Sequence, residues 1–372
     1  MSILIRGAAG GSLLLDGERV AALGDVGRPA AARSFDANGL FAAPGFIELQ
    51  INGAAGHDLT ADPTSVWEVG AALPRWGVTA FLPTIVSSPA GVIEAGRAAL
   101  RAGPPPGYCG ALPLGLHLEG PFISRAGAHR PEHLRIPETT VDWRPENGVR
   151  MVTLAPELPG ALDLIQRLNA RGVLVAAGHS EASASEAAAG IEAGLRYATH
   201  LFNAMPPLDH RAPGLVGALL ADRRVALGLI VDGLHVDPLL IDLVWRLAGP
   251  GRLSLVTDAM AALGCGHGTF PLGDAQVTVS DSGARLADGR LAGSVISLDA
   301  ALRNLVRFTG CAPADALETV TATPARLLRL ADRGRLRPGA RADVVLLTPD
   351  LEVAATFVGG APTHVAEGGR WD

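Results

Sequence analysis

Three side chains of the kind that bind metals occur at the ends of short apolar segments. Glu119 lies in GLHLEGP, His179 in AAGHS and His200 in ATHLFNAM. Singly, the glutamate could cap a loop amide, and either histidine could be structural. Together, one Glu and two His that leave a coordination position open are a common ligand set for catalytic zinc, whose bound water becomes nucleophilic near neutral pH. The set therefore predicts a metal-dependent amide hydrolase.

A further carboxylate, Asp258 in LVTDAM, follows another apolar segment. In isolation it could serve as the N-cap of the turn behind it. Beside a metal-activated water, a carboxylate is a suitable general base that can afterwards return the proton to the leaving amine. We therefore predict Asp258 as the catalytic base and acid.

Repeated strand and helix patterns position these residues. Short apolar runs alternate with helix-patterned stretches between Phe46 and Met260, which is typical of βα units. The pattern predicts an α/β fold, a (β/α)8 TIM-like barrel, whose chemistry lies at the C-terminal ends of the strands. The predicted strands are Phe46–Asn52, Val78–Thr84, Leu112–Glu119, Arg150–Ala155, Val173–His179, Tyr197–Phe202, Val225–Val231 and Leu253–Thr257. The predicted helices include Thr64–Trp76, Pro89–Ala102, Gly160–Ala170, Ser183–Ala193 and Asp237–Ala248.

The two ends of the chain have a different pattern, with short β segments separated by glycine turns. We predict that residues 1–45 and 334–372 form one small β-sandwich domain, because strands from both ends would otherwise stay unpaired. The barrel then spans residues 46–333. Within it, glycine-rich turns and short β runs predict a β insertion at about residues 264–293.

Composition excludes several classes of partner. The net charge of −6 argues against a broad nucleic-acid or anionic-lipid surface, so we predict no nucleic-acid and no membrane partner. Apolar runs are shorter than the roughly 18 residues of a membrane span. The N-terminus lacks the pattern of a signal peptide, so we expect a cytoplasmic protein.

The motifs GLHLEGP, AGHS, ATHLFNAMPP, IVDGLHVD and LVTDAM together resemble the N-acetylglucosamine-6-phosphate deacetylases of the amidohydrolase superfamily. The resemblance extends from PGFIELQINGAAG to TATPARLLRL and GRLRPGARADVVLL. It implies hydrolysis of the N-acetyl group of N-acetylglucosamine 6-phosphate, which gives glucosamine 6-phosphate and acetate. It also implies that Glu119, His179 and His200 hold the metal and that Asp258 is the base.

The same resemblance assigns residues that contact the substrate. His129, in SRAGAHRPEH, would donate a hydrogen bond to the substrate carbonyl opposite the metal, and Ala128 beside it would line the substrate site. Backbone amides at Asn203 and Ala204 would bind the phosphate, with Arg211 nearby.

His235 of DGLHVD would come from a neighbouring subunit, which implies a homodimer. Two alternatives remain open. Arg211 could be a surface arginine, and His235 could belong to the start of a helix.

Many superfamily members carry a His-x-His pair on the first barrel strand and bridge two metals with a carboxylated lysine. Here that place reads Gln50-Ile51-Asn52, and the chain contains no lysine. Amides are weak ligands for transition metals. We therefore expect one divalent metal per subunit, Zn²⁺ ahead of Fe²⁺, Co²⁺ or Mn²⁺, with Gln50 and Asn52 behind the ligands or facing the substrate.

Two other functions are weighed against this one. A cyclic-amide hydrolase of the dihydroorotase or hydantoinase kind would share the barrel, but such enzymes typically rely on the lysine-bridged metal pair. A sugar-phosphate sensor without catalysis would keep the fold, but it would not need Glu119, His179, His200 and Asp258 together.

Overall fold

The computed structural model describes residues 2–27, 32–138 and 141–371. Met1, residues 28–31, residues 139–140 and Asp372 belong to the predicted domain ranges but lie outside the described residues. Within the described part, no helix combines the length and the apolar character that crossing a bilayer requires.

A parallel sheet forms the centre of the molecule, and its strands pair in chain order. The barrel strands are Phe46–Ile51, Val78–Val86, Leu116–Glu119, Val149–Leu154, Leu174–Ala177, Tyr197–Ala198, Ala226–Leu229 and Leu253–Leu255. Most of their side chains are buried, as expected for strands covered on both faces.

The last strand returns to the first. The backbone N–H of Asp258 donates to the Gln50 carbonyl over 2.9 Å, and Ile51 and Ala259 form a parallel bridge. These contacts bring the two ends of the sheet together, so the predicted (β/α)8 barrel is confirmed.

The third predicted strand is interrupted. Leu112–Pro113 pairs with the second barrel strand, and Leu116–Glu119 resumes pairing after Gly115, whose φ is +126°. The break has two local causes, because proline has no N–H to donate and this φ suits glycine alone.

Helices cover the outside of the barrel. The α-helices are Val66–Ala72, Ala90–Ala102, Ala161–Ala170, Ala184–Ala193, Gly214–Ala221, Pro238–Ala248, Leu298–Thr309, Pro313–Glu318 and Ala322–Leu327. Short 3₁₀ helices are Pro63–Ser65, Leu73–Trp76, Pro131–His133 and Pro145–Asn147. The predicted helix Thr64–Trp76 is therefore an α-helix with a short 3₁₀ helix at each end. The α-helix stops at Ala72 because Pro74 lacks the N–H that would continue it.

Strands from both termini form two facing sheets. One contains Ser2–Arg6, Ser12–Asp16, Arg19–Gly24, Arg33–Asp36 and Arg370–Trp371, and the other contains Phe41–Pro44, Val344–Leu347, Val353–Val358 and Ala361–Val365. Phe35 of the first sheet and Phe357 of the second pack edge to face, with ring centroids 5.7 Å apart. The small β domain built from both ends is thus confirmed as a fold, and its outer limits at residues 1 and 372 remain a prediction.

The predicted insertion is a three-stranded antiparallel sheet of Gly268–Leu272, Ala275–Ser280 and Gly283–Arg285. Its apolar face, including Val277 and Val279, packs on Met260 and Ala262, which follow the eighth barrel strand. The insertion therefore lies over the mouth of the barrel, at the edge next to Asp258. A two-stranded pair, Gly53–Ala54 with His57–Asp58, also follows a barrel strand.

Candidate active site

The three predicted metal ligands meet at the C-terminal mouth of the barrel. Oε1 of Glu119 lies 2.9 Å from Nε2 of His200 and 3.2 Å from Nε2 of His179, and the two Nε2 atoms are 3.1 Å apart. Metal bonds of about 2.0 to 2.2 Å separate neighbouring tetrahedral ligands by about 3.3 to 3.6 Å. The observed separations are only slightly shorter, so small side-chain shifts admit one ion.

The chemistry of this donor set also fits a cation. Two imidazole nitrogens that face each other cannot both donate, and a shared positive ion satisfies both lone pairs together with the carboxylate. His129 offers a further nitrogen, since Glu119, His129 and His179 can place ligand atoms within 4.8 Å of one another. His129 Nε2 lies 3.8 Å from Glu119, however, which favours His200 as the third ligand.

Unusual backbone conformations aim these side chains into the barrel mouth. His179, His200 and Asp258 have φ of 51°, 28° and 48°, in the left-handed region that residues other than glycine rarely occupy. Each follows the end of a barrel strand, and this turn explains why the observed strands stop before the predicted ones.

The orientation of the His179 ring is set by the loop that carries His129. Nδ1 of His179 lies 2.9 Å from the carbonyl of Arg125, so this nitrogen is the donor and Nε2 keeps the lone pair that a metal needs. Gly127 packs on the same ring, because a Cβ there would lie 2.9 Å from its Cε1 atom.

Two amide side chains lie between the ligands and the predicted base. Nε2 of Gln50 donates to Glu119 Oε1 and to Asp258 Oδ1, both over 3.1 Å. Nδ2 of Asn52 donates to Asp258 Oδ1 over 2.7 Å. Gln50 in the first strand therefore contacts both carboxylates, and Asn52 just after the strand contacts Asp258.

The two carboxylates have opposite pKa shifts. Burial and the nearby charge of Glu119 raise the pKa of Asp258. Burial also acts to raise the pKa of Glu119, but the adjacent His179 and His200 outweigh it and hold the pKa well below its usual value. Buried carboxyl groups with shifted pKa values are common in active sites.

His129 is placed as a neutral hydrogen-bond donor. Its Nδ1 accepts from the Ser87 backbone N–H over 3.1 Å, which leaves the proton on Nε2. Burial and the nearby His179 lower its pKa to about 3, so the ring is uncharged at neutral pH. An Nε2–H at the cavity wall suits a carbonyl oxygen that gains negative charge.

A cavity of about 250 Å³ opens in front of these groups. The predicted residues in its wall are Asn52, Glu119, Ala128, His129, His179, His200, Asn203, Ala204, His235 and Asp258. The cavity also includes residues that the sequence did not predict, namely Val86, Arg125, Gly127, Leu272, Arg290, Leu291, Ala292 and Gly293. The glycine-rich segment ADGRLAGS, which returns from the insertion, was the available signal for the last four.

Two predicted phosphate contacts need correction. Arg211 is exposed and lies outside the cavity wall, because its loop turns around Asp209, whose carboxylate accepts the Arg211 backbone N–H over 2.8 Å. His235 was expected from a neighbouring subunit, but it lines the cavity of its own chain. Asp232, just after the seventh strand, holds its ring there through a 2.6 Å contact with Nδ1.

Comparison with known proteins places this site in a family. Residues 41–363 match the model of the amidohydrolase family. The chain belongs to this family. The human N-acetylglucosamine-6-phosphate deacetylase is 41% identical over 356 residues, which cover 90% of this chain and 86% of the relative. The amidohydrolase resemblance predicted from the motifs is thus confirmed.

Solved structures of the family agree with the fold. The N-acetylglucosamine-6-phosphate deacetylase of Pasteurella multocida superposes with a TM-score of 0.90 at 30% identity, covering 97% of this chain and 99% of that one. A mutant of N-acetyl-D-glucosamine-6-phosphate deacetylase from Mycobacterium smegmatis, in complex with N-acetyl-D-glucosamine-6-phosphate, superposes with a TM-score of 0.85 at 35% identity. It covers 98% of this chain and 99% of that one.

Proposed function

We propose that this amidohydrolase removes the acetyl group from N-acetylglucosamine 6-phosphate and releases glucosamine 6-phosphate and acetate. The observation that carries the proposal is the meeting of Glu119, His179 and His200 with Asp258 in one cavity. Relatives of that name, similar over most of the chain, support the choice of substrate.

Glu119, His179 and His200 would hold one divalent metal, which when bound acts as a Lewis acid and lowers the pKa of water. We propose Zn²⁺, and elemental analysis of untreated protein tests this identity. Asp258, whose Oδ1 is held by Gln50 and Asn52, accepts a proton from the attacking water. It then delivers that proton to the nitrogen of the leaving amine.

His129 acts on the other side of the scissile bond. Its Nε2–H donates to the acetyl carbonyl oxygen and stabilises the charge that develops there. The neutral state of the ring fits this role, since a hydrogen bond donor is needed and a proton transfer is not.

We assign the sugar phosphate to the outer part of the cavity, where Ala128, Asn203, Ala204 and His235 lie in the wall. Phosphate binding by backbone amides and a histidine needs no large basic surface, in accord with the net charge of −6. We also propose a cytoplasmic location, because a doubly charged sugar phosphate does not cross an apolar bilayer unaided.

A homodimer is part of the proposal. The helix Pro238–Ala248 exposes Leu239 (68%), Leu243 (51%) and Leu247 (55%), next to an apolar groove of about 420 Å³. Apolar patches of this kind are typical of subunit interfaces. Sedimentation of the unmodified protein and of Leu243→Asp tests the dimer.

The direct test of function is acetate release from N-acetylglucosamine 6-phosphate by purified, metal-loaded protein. Asp258→Ala should abolish turnover, and Asp350→Ala, which alters an exposed aspartate outside the cavity wall, should leave it unchanged. No acetate from the unmodified protein would overturn the proposal. Tight binding of the phosphosugar without turnover would support the sensor instead.

A further inference from the structure

The insertion, residues 264–293, packs against a short loop that carries His129. We propose that Arg290 and Arg130 form a crossed clamp between the insertion and this His129 loop, residues 124–130, and so act as positioning residues for catalysis. The catalytic part of this inference rests on the proposed function, whereas the clamp itself does not.

The two arginines run in opposite directions across the same gap. Nη1 of Arg290, from the insertion, donates to the carbonyl of Gly127. Nη2 of Arg130, from the loop, donates to the carbonyl of Asp274 in the insertion over 2.8 Å. Their anchoring points on the loop lie on either side of His129, so the clamp restrains the backbone both before and after the ring.

Other contacts place the same surfaces together. Nε2 of His133 lies 3.0 Å from the Asp274 carboxylate, and Ala128 packs on the apolar cluster that contains Leu272 and Val277. Residues 126–130 belong to no helix or strand. The His129 N–H donates to the Ala126 carbonyl over 2.9 Å, which is a bond within the loop itself. Side-chain contacts with the insertion and with Ser87 therefore hold this part of the loop in place.

Arg290 lies in the cavity wall, so an anion-binding role has to be weighed. Its Nε and Nη2 atoms lie 2.8 and 2.7 Å from the Asp288 carboxylate, which orients the plane of the guanidinium. Nη1 is then directed to the Gly127 carbonyl. Three of its five N–H donors are engaged in this way, and they fix the guanidinium in an orientation that holds the loop.

Displacement of the loop would affect the reaction through two side chains. His129 would lose the hydrogen bond from the Ser87 backbone N–H, which orients its ring. The carbonyl of Arg125, which orients His179, belongs to the same loop. Catalysis depends on donor positions within about 0.5 Å, so a loosened loop should lower kcat more than it raises KM.

Hydrogen exchange measured by mass spectrometry tests the clamp without reference to activity. Arg290→Ala and Arg130→Ala should each speed exchange in peptides covering residues 124–130 by about fivefold or more, the effect of one lost hydrogen bond. Arg101→Ala is the matched control, because Arg101 is as exposed as Arg290 (56% against 57%) and also pairs with one carboxylate. It should leave exchange in the loop unchanged.

Kinetics test the positioning role. Arg290→Ala should lower kcat about fivefold or more, and Arg290→Lys should restore part of it by offering a donor to the same carbonyl. The kcat loss from Arg290→Ala should be smaller in a His129→Ala background than in the unmodified protein, because one of the two affected side chains is then already missing. Unchanged loop exchange in both alanine variants overturns the clamp. If Arg290→Ala lowers kcat equally in the unmodified protein and in His129→Ala, Arg290 does not act through His129. If the unmodified protein does not turn over, the proposed function fails and exchange still decides the clamp.

Discussion

The hydrogen bond from Asn52 to the predicted base offers a sharp test of the mechanism. Nδ2 of Asn52, a residue only 2% exposed, lies 2.7 Å from Asp258 Oδ1. Asn52→Leu keeps a side chain of similar size and removes the donor. A hydrogen bond to a charged group contributes about 1.5 to 3 kcal/mol, here to holding the carboxylate in position for the water, so its loss should lower kcat by up to about 150-fold.

The same substitution should change the pH profile. Asn52 stabilises the ionised form of Asp258, so its loss raises the pKa of this carboxyl group further. The base must be ionised to accept a proton, and the acidic limb of the kcat/KM profile should therefore move to higher pH.

The assay is acetate release across pH in the unmodified protein, in Asn52→Leu and in Asn147→Leu. Asn147 donates to the carbonyl of Asp142 over 2.6 Å in an exposed turn outside the cavity, so its loss should not alter kcat. A folded Asn52→Leu enzyme with normal kcat and an unmoved acidic limb would refute the assignment of Asp258 as the base.

Three further predictions concern stability and the metal. Burial raises the pKa of Glu48 to about 8, so between about pH 4.5 and 8 the folded state keeps a proton that the unfolded state releases. Stability should fall by up to about 1.4 kcal/mol per pH unit across this window, and Glu48→Gln should remove that slope in urea unfolding. Gly127→Ala should lower the metal content of the protein, because the φ of Gly127 is +57° and the added Cβ would press on His179. Unchanged metal content would contradict this prediction. Chelation should lower Tm, since an ion present at 100 times its Kd stabilises the fold by about 2.7 kcal/mol, and an unchanged Tm would argue against a metal held by the folded state.

The barrel and its mouth were predictable because their signals are local. Apolar runs identify parallel strands, and the metal ligands follow the strand ends that the barrel brings together. Glu119, His179 and His200 thus meet although they are far apart in sequence. The family motifs added His129, which the residues alone would not have distinguished from other loop histidines.

Features that depend on three-dimensional placement were not predictable. The left-handed backbone at His179 and His200 cannot be recognised from the residue type, because glycine or asparagine would be expected at such positions. The cavity wall formed by Arg290 depends on how the insertion folds back. Arg211 is exposed because its loop turns around Asp209. The position of this arginine in the sequence, close to Asn203, does not reveal that turn.

The central claim is that a single metal held by Glu119, His179 and His200 supports deacetylation. Elemental analysis of the unmodified protein, paired with acetate release from N-acetylglucosamine 6-phosphate, tests it most directly. We predict one divalent ion per chain, turnover in proportion to its content, and loss of both in folded Glu119→Gln and His200→Ala variants. Full turnover by metal-free protein, or unaltered metal content in those variants, would contradict the claim.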